Sequence, residues 1–204
     1  MSPQAAQRRN PDETRLVLLT AAFEEIHAQG FRKASLDNIL KRTGVTKGAL
    51  YHHFPNKAAL GYAVLDEVIM PEYVKIWSPV LDEKLNPVDA LVAILERHCS
   101  PDFEEQVNLG CPVNNLVQEM SGVDEGFRER LKMMLDEWIR GVRSALERGQ
   151  ANGQVRDDID ADDTARIIVA TFEGCTGFAK CSQDPTVFQD SIKALVRFCN
   201  GLRQ

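Results

Sequence analysis

Apolar residues recur at helical spacing along most of the chain, and no stretch alternates apolar and polar positions with the period of a strand. Across positions 12–29, Leu16, Leu19, Phe23 and Ile26 fall on one stripe, and Gly30 follows as the terminating residue. Ser35 then caps a short helix whose apolar face is Leu36, Ile39 and Leu40. Thr43-Gly44-Val45 reads as a tight turn, with Gly44 supplying a positive φ and Val45 filling the gap between helices. Thr46 caps a second short helix in which Leu50 points inward, while Lys47, Ala49, Tyr51, His52 and His53 face out. Phe54-Pro55 ends it, because a residue before proline is pushed out of the α region. Asn56 caps the next helix, with Lys57 in its first turn. That helix is expected to run through Leu60, Val64, Leu65 and Val68 to a kink at Pro71.

Beyond Met70 the pattern stays helical. Asn86-Pro87 opens a helix with Val88, Leu91, Val92 and Leu95 on one face. Residues 100–110 read as a loop, and Cys111-Pro112 opens a short helix that stops at Ser121-Gly122. Asp124 starts a long helix, with Phe127, Leu131, Met134, Leu135, Trp138, Val142, Ala145 and Leu146 along it, that runs to Asn152-Gly153 and spans roughly 40 Å at 1.5 Å per residue. Asp160 opens another, and Asp184-Pro185 separates it from the last, which carries Phe188, Ile192, Leu195, Val196 and Phe198. The fold class is therefore all-α: an N-terminal three-helix unit with a helix-turn-helix, over 1–56 with its preceding arm, and a C-terminal helical body over 57–204.

Charge divides along the same line. The 204 residues carry a formal net charge of −6. Residues 1–60 hold nine Lys/Arg against five Asp/Glu, a net of +4, so the remainder is −10. A basic module on an acidic body is the asymmetry expected when one end meets phosphate. No apolar run approaches the roughly 20 residues of a membrane span, and MSPQAAQRRN lacks the apolar centre of a secretion signal. It reads as an arm whose Arg8 and Arg9 could touch DNA. Five scattered cysteines (99, 111, 175, 181 and 199) do not form a disulfide framework, so reduced thiols and a cytoplasmic location are expected.

A short capped helix with a cationic and aromatic outer face, set on a braced neighbour, is the layout of a helix-turn-helix whose second helix enters the major groove. Within it, Lys47 is the candidate for a guanine contact and Ala49 for a thymine methyl. Thr46, Tyr51, His52 and His53 are candidates for the DNA backbone, and Ser35 and Lys57, each at a helix start, for phosphates. The adjacent histidines do not suggest a metal, since neighbours on a helix point apart and no third ligand is near. Neither a metal nor a cofactor is expected. The run TGVTKGALYHHFPNK at 43–57, with Ser35, Ile39 and Gly30-Phe31, resembles the DNA-binding signature of the TetR family of bacterial repressors over about positions 12 to 65. Leu40 and Thr43 stand where that family commonly has alanine, so slightly wider packing of the two helices is expected there.

The resemblance implies double-stranded operator DNA, a second copy of the chain and a small-molecule inducer as partners. Inducers in that family are usually buried in the body, and the candidate wall is Trp77, Phe103, Met133, Met134, Trp138 and Phe172. Cys111, Asn114, Asn115 and Gln118 would be its polar handles. Similar proteins pair their last two helices across a two-fold axis. Here Ala170, Gly174 and Gly177 would allow close approach, with Phe178, Ile192, Leu195 and Val196 as apolar surface. Core packing would leave the same traces in either set. Cys111, at a helix start that would lower a thiol pKa, raises the alternative of a thiol sensor of electrophiles or oxidants. An enzyme is not expected: HExxH, G-x-S-x-G, a P-loop and a dinucleotide fingerprint are all missing.

Overall fold

The computed structural model describes residues 10–100 and 108–204, all-α but for an isolated bridge between Val155 and Arg203. The helices are α1 (Pro11–Gln29), α2 (Leu36–Thr43), α3 (Lys47–His53), α4 (Lys57–Val64), α5 (Met70–Leu81), α6 (Pro87–Arg97), α7 (Pro112–Met120), α8 (Glu125–Ala151), α9 (Ala161–Ser182) and α10 (Pro185–Asn200). Arg8, Arg9 and Phe103 lie outside the described residues. The chain forms two compact units, one ending at Ile69 and the other starting at Met70. The boundary drawn at 56/57 thus differs by one helix. Leu60, Val64 and Leu65 are fully buried, and α4 packs on α1 within the first unit.

In the first unit, polar side chains start every helix. Asn10 closes a capping box with Glu13, and Ser35, Thr46 and Asn56 accept from the backbone N–H of Asn38, Ala49 and Ala59. Gly44 ends α2 in the left-handed region at φ 66°, and a Cβ there would meet open space, so the backbone angle alone demands glycine. The inward stripe of α1 is Leu18, Leu19, Ala22 and Ile26. Leu16 was expected on it and is instead 63% exposed, because the buried face is turned towards Leu18. Where a kink was expected near Pro71, residues Leu65–Ile69 form a π turn. Pro71 has no N–H to offer the carbonyl of Glu67, and widening the preceding turn relieves that mismatch.

The second unit is built on α8. It packs against α5, α6, α7 and α9, and α10 closes the other side on α6 and α9. Its core runs through Leu91, Leu95, Trp138, Val142, Leu146, Ile168, Phe172, Phe188, Ile192 and Leu195. Val113, Leu116 and Met120 of α7 and Phe127, Leu131 and Met134 of α8 are also buried where those two helices meet. Near the end of α8, Gly149 allows a tight approach: a Cβ there would stand 2.5 Å from Val155 and 2.7 Å from Pro87. Gly149→Ala should therefore cost about 1–3 kcal/mol through overpacking. A thermal melt checks this, with a fall of several degrees expected despite alanine's better helix propensity.

Candidate nucleic-acid interface and interior site

The short helix α3 is presented by what lies beneath it. Leu50 and Phe54 are 1% and 2% exposed, and Arg15 of α1 stacks over the Phe54 ring at 4.6 Å while forming a bidentate ion pair with Glu67 in the π turn. Helix α2 is anchored from α1 by the buried Glu25, whose Oε1 accepts from Ser35 N (3.2 Å) and Asn38 Nδ2 (3.0 Å). Arg42 pairs with Glu24 across the same two helices. Thr43 is buried. Its hydroxyl donates to Ile39 O at 2.9 Å and accepts from Val45 N at 3.3 Å, so this departure from the family pattern is absorbed within the turn.

The predicted DNA face follows from that support. Thr46, Lys47, Tyr51 and His52 are exposed, Ala49 and His53 half-buried, and Ser35 half-buried at the mouth of a pocket of about 210 Å³ shared with Lys47 and Tyr51. Lys57 extends back from α4, its Nζ donating to Arg32 O at 3.1 Å and lying 5.0 Å over the Phe31 ring. That tie links the start of α4 to the segment before α2.

In the second unit the predicted aromatic wall does come together. Trp77 and Trp138 have ring centroids 4.5 Å apart, with Phe172 at 5.4 and 5.6 Å from them. Two rings that were not singled out in the sequence complete the cluster. Tyr73 meets Trp138 edge-on at 4.7 Å, and His98 lies 5.0 Å from Phe172, its Nδ1 bonded to Ile94 O. Met134 is buried but stands outside that cluster, Met133 is 57% exposed, and Gln118 is exposed on α7. Met133, expected in the wall, and Gln118, expected as a polar handle, are therefore corrected to surface positions: α7 turns Val113, Leu116 and Met120 inward, and α8 turns Leu131, Met134 and Trp138. Asn114 bonds the backbone carbonyl of Glu173 at 3.2 Å, and Asn115 joins Leu109 O to the Lys180 ammonium.

Glu173 is the residue that the sequence reading missed. It is the one charge between Arg166 and Lys180. Both its carboxyl oxygens are buried beside the Cys111 thiol, a weak donor to them, while the Tyr73 hydroxyl and the Trp138 indole N–H are buried without a hydrogen-bond partner. Burial pushes its carboxyl from the ordinary range up to about 7. Cys111 caps α7 through its backbone only. Burial and then the neighbouring Glu173 push its thiol well above the usual value, opposite to the lowering expected from a helix start. The thiol-sensor alternative is thereby disfavoured, since the thiolate it requires is suppressed.

On the dimer candidates, α9 exposes Ile167, Ala170, Thr171 and Phe178, with Gly174 and Gly177 half-buried. A Cβ at either glycine would meet nothing within 4 Å. Ile192 and Leu195, in contrast, are 1% and 3% exposed inside the protomer core, with Val196 packed against it. They are corrected from interface to core, because α10 turns its 188–192–195–199 stripe inward.

An exposed polar helix on a capped, braced helix-turn-helix, joined to a separate helical body, defines a DNA-binding regulator. Residues 18–64 match the model for bacterial regulatory proteins of the tetR family, and residues 87–195 match that for the tetracyclin repressor-like C-terminal domain. The transcriptional regulator AcuR of Cereibacter sphaeroides is 30% identical over 168 residues, covering 82% of this chain and 77% of its own. The A-factor receptor protein of Streptomyces griseus is 29% identical over 158 residues, 77% of this chain and 51% of its own. The crystal structure of regulatory protein TetR from Rhodobacter sphaeroides superposes with a TM-score of 0.79 at 28% identity, covering 90% of this chain and 97% of the other. The chain belongs to the TetR family of DNA-binding transcriptional regulators. Among the described residues, no helix is long and apolar enough to cross a membrane.

The raised carboxyl makes stability depend on pH. The unfolded chain releases the Glu173 proton near 4.5 and the folded chain near 7, so the folded state holds the extra proton between those values and loses stability as pH rises through them. Glu173→Gln should remove this slope and stabilise the protein at pH 8 by on the order of 2–3 kcal/mol. Denaturant unfolding at pH 5 and pH 8 measures both effects.

Proposed function

We propose that the protein is a homodimeric repressor that occupies its operator through two copies of α3 and leaves it when a small-molecule inducer enters the second unit. The observation that carries this reading is the interior cluster of poorly partnered polar groups in the second unit. Tyr73, Trp138 and Glu173 are buried polar side chains in the arrangement of a site built for a guest. A relative that is named a receptor points the same way.

In this reading Lys47 and Ala49 contact base edges, and Thr46, Tyr51, His52 and His53 contact the backbone. Ser35 and Lys57 position phosphates at the starts of α2 and α4. Dimerisation uses the outward stripe of α9, where Ala170, Gly174, Gly177 and Phe178 let a partner helix come close, with Val196 at the margin. The open space at Gly174 and Gly177 supports this, because nothing inside the protomer uses their small size. Two-fold pairing would place the recognition helices about 34–36 Å apart, one turn of DNA. An inducer that switches occupancy almost completely must favour the released arrangement by about 10⁴-fold. The reduced interior of the cytoplasm suits the five free cysteines.

Two measurements test this reading. Lys47→Ala should weaken operator binding about tenfold or more in a gel shift, with the melting temperature unchanged because the residue is exposed. Gly174→Arg should leave the protomer's fold intact, since its side chain enters open space. By sedimentation it should convert dimer to monomer, with operator affinity lost alongside. A dimeric Gly174→Arg protein at micromolar concentration would remove α9 from the interface.

A further inference from the structure

Between Glu25 and Asp66 the chain carries six Lys/Arg and a single acid, Asp37. It stands exposed in the first turn of α2, where it shares a cleft of about 210 Å³ with Ser35, Lys47 and Tyr51. An acid in that position repels every phosphate that the surrounding cations attract, so it costs affinity for DNA in general. Local structure does not account for it. The start of α2 is already held, since Ser35 Oγ accepts from Asn38 N and the buried Glu25 accepts from Ser35 N and Asn38 Nδ2. Nor is Lys47 its counter-charge. Among the described residues neither side chain is engaged in an ion pair, although both line the one cleft. The cleft thus presents an open donor beside an open acceptor.

We propose that Asp37 is a specificity-determining residue of the operator contact, its carboxylate accepting from the N4 amino group of a cytosine beside the guanine that Lys47 takes. The inference rests on the reading that α3 lies in the major groove, and it adds the first turn of α2 to the surface that reads bases. In that groove guanine shows two acceptors, O6 and N7, and cytosine shows one donor, N4. An ammonium and a carboxylate in one cleft match those two edges. The other bases do not suit a carboxylate: thymine turns O4 towards it, guanine O6 and N7, and adenine sets N7 beside its amino group. Cytosine alone shows the groove a donor and no acceptor. Phosphate repulsion then has a use, because it weakens binding wherever no cytosine offsets it.

Selection of a binding site from a randomised duplex pool with the full-length protein, followed by gel shifts on the selected duplex, tests the assignment. The selected half-site should contain a cytosine whose replacement by pyrimidin-2-one, which keeps the opposing guanine and lacks only the amino group, costs the wild type about tenfold or more. The same replacement should cost Asp37→Ala less than about threefold. Asp37→Ala should also bind a random-sequence duplex more tightly than the wild type does, with its melting temperature nearly unchanged because the residue is exposed. An Asp37→Ala protein that keeps the full wild-type penalty overturns the proposal. So does one that weakens on selected and random duplexes alike, as loss of support for α2 would. A selected site that depends on Lys47 but on no cytosine amino group ends the proposal and leaves the groove reading standing. If neither Lys47→Ala nor Asp37→Ala alters base preference, α3 is not the reading element and both fall.

Discussion

A seven-residue helix does not persist in water unaided, and everything that the first unit does depends on holding α3 by its underside. Leu50 and Phe54 supply the anchor, and neither leaves a polar atom to be satisfied. Arg15 adds a second constraint by covering the Phe54 ring while its charge is spent on Glu67. With the lower face fixed, the upper face is free to be polar. Lys47, Tyr51 and His52 are exposed, so packing leaves their identity free for the DNA contacts proposed for them. The same separation appears at α2, where the buried Glu25 receives the Ser35 amide and the Asn38 side chain and so fixes the helix start from below.

The second unit follows a different economy. Its apolar stripes are long, and most of what they bury is ordinary close packing. Against that background the polar groups at Tyr73, Trp138 and Glu173 stand out: among the described residues the first two have no partner, and the carboxyl has only the weakly donating Cys111 thiol. Interiors that serve only stability resolve such groups or replace them with apolar side chains. Leaving such groups open in one neighbourhood costs stability, and the proposed inducer site is the reading that accounts for that cost.

The helix boundaries of the first unit were legible because they are written in local chemistry. Ser35, Thr46 and Asn56 act as caps within three residues, and Gly44 and Phe54-Pro55 act within one turn. The stripe of α1 was less so. Leu16 and Leu18 both fit a helical period, and only the position of α4 decides which one is covered. The interior site was legible in part. Trp77, Trp138 and Phe172 announced themselves by size, whereas Glu173 carries no local sign of burial except the absence of other charges around it. Ile192 and Leu195 could not be told from interface residues, because α10 has apolar positions on more than one side and the choice belongs to its packing on α6 and α9. Cys111 was misread for a related reason. A helix start lowers a thiol pKa only where water or a cation can support the thiolate, and here a buried carboxyl sits beside it.

The π turn at Leu65–Ile69 has a consequence for how the chain can vary. A turn with one extra residue is a stored insertion: the wider turn takes up the added residue locally, so taking one out of 65–69 would return the segment to ordinary helical spacing without turning the residues after it. Length is therefore tolerated here where position is not: the deletion would have to spare Glu67, whose carboxylate holds the Arg15 guanidinium that covers the Phe54 ring.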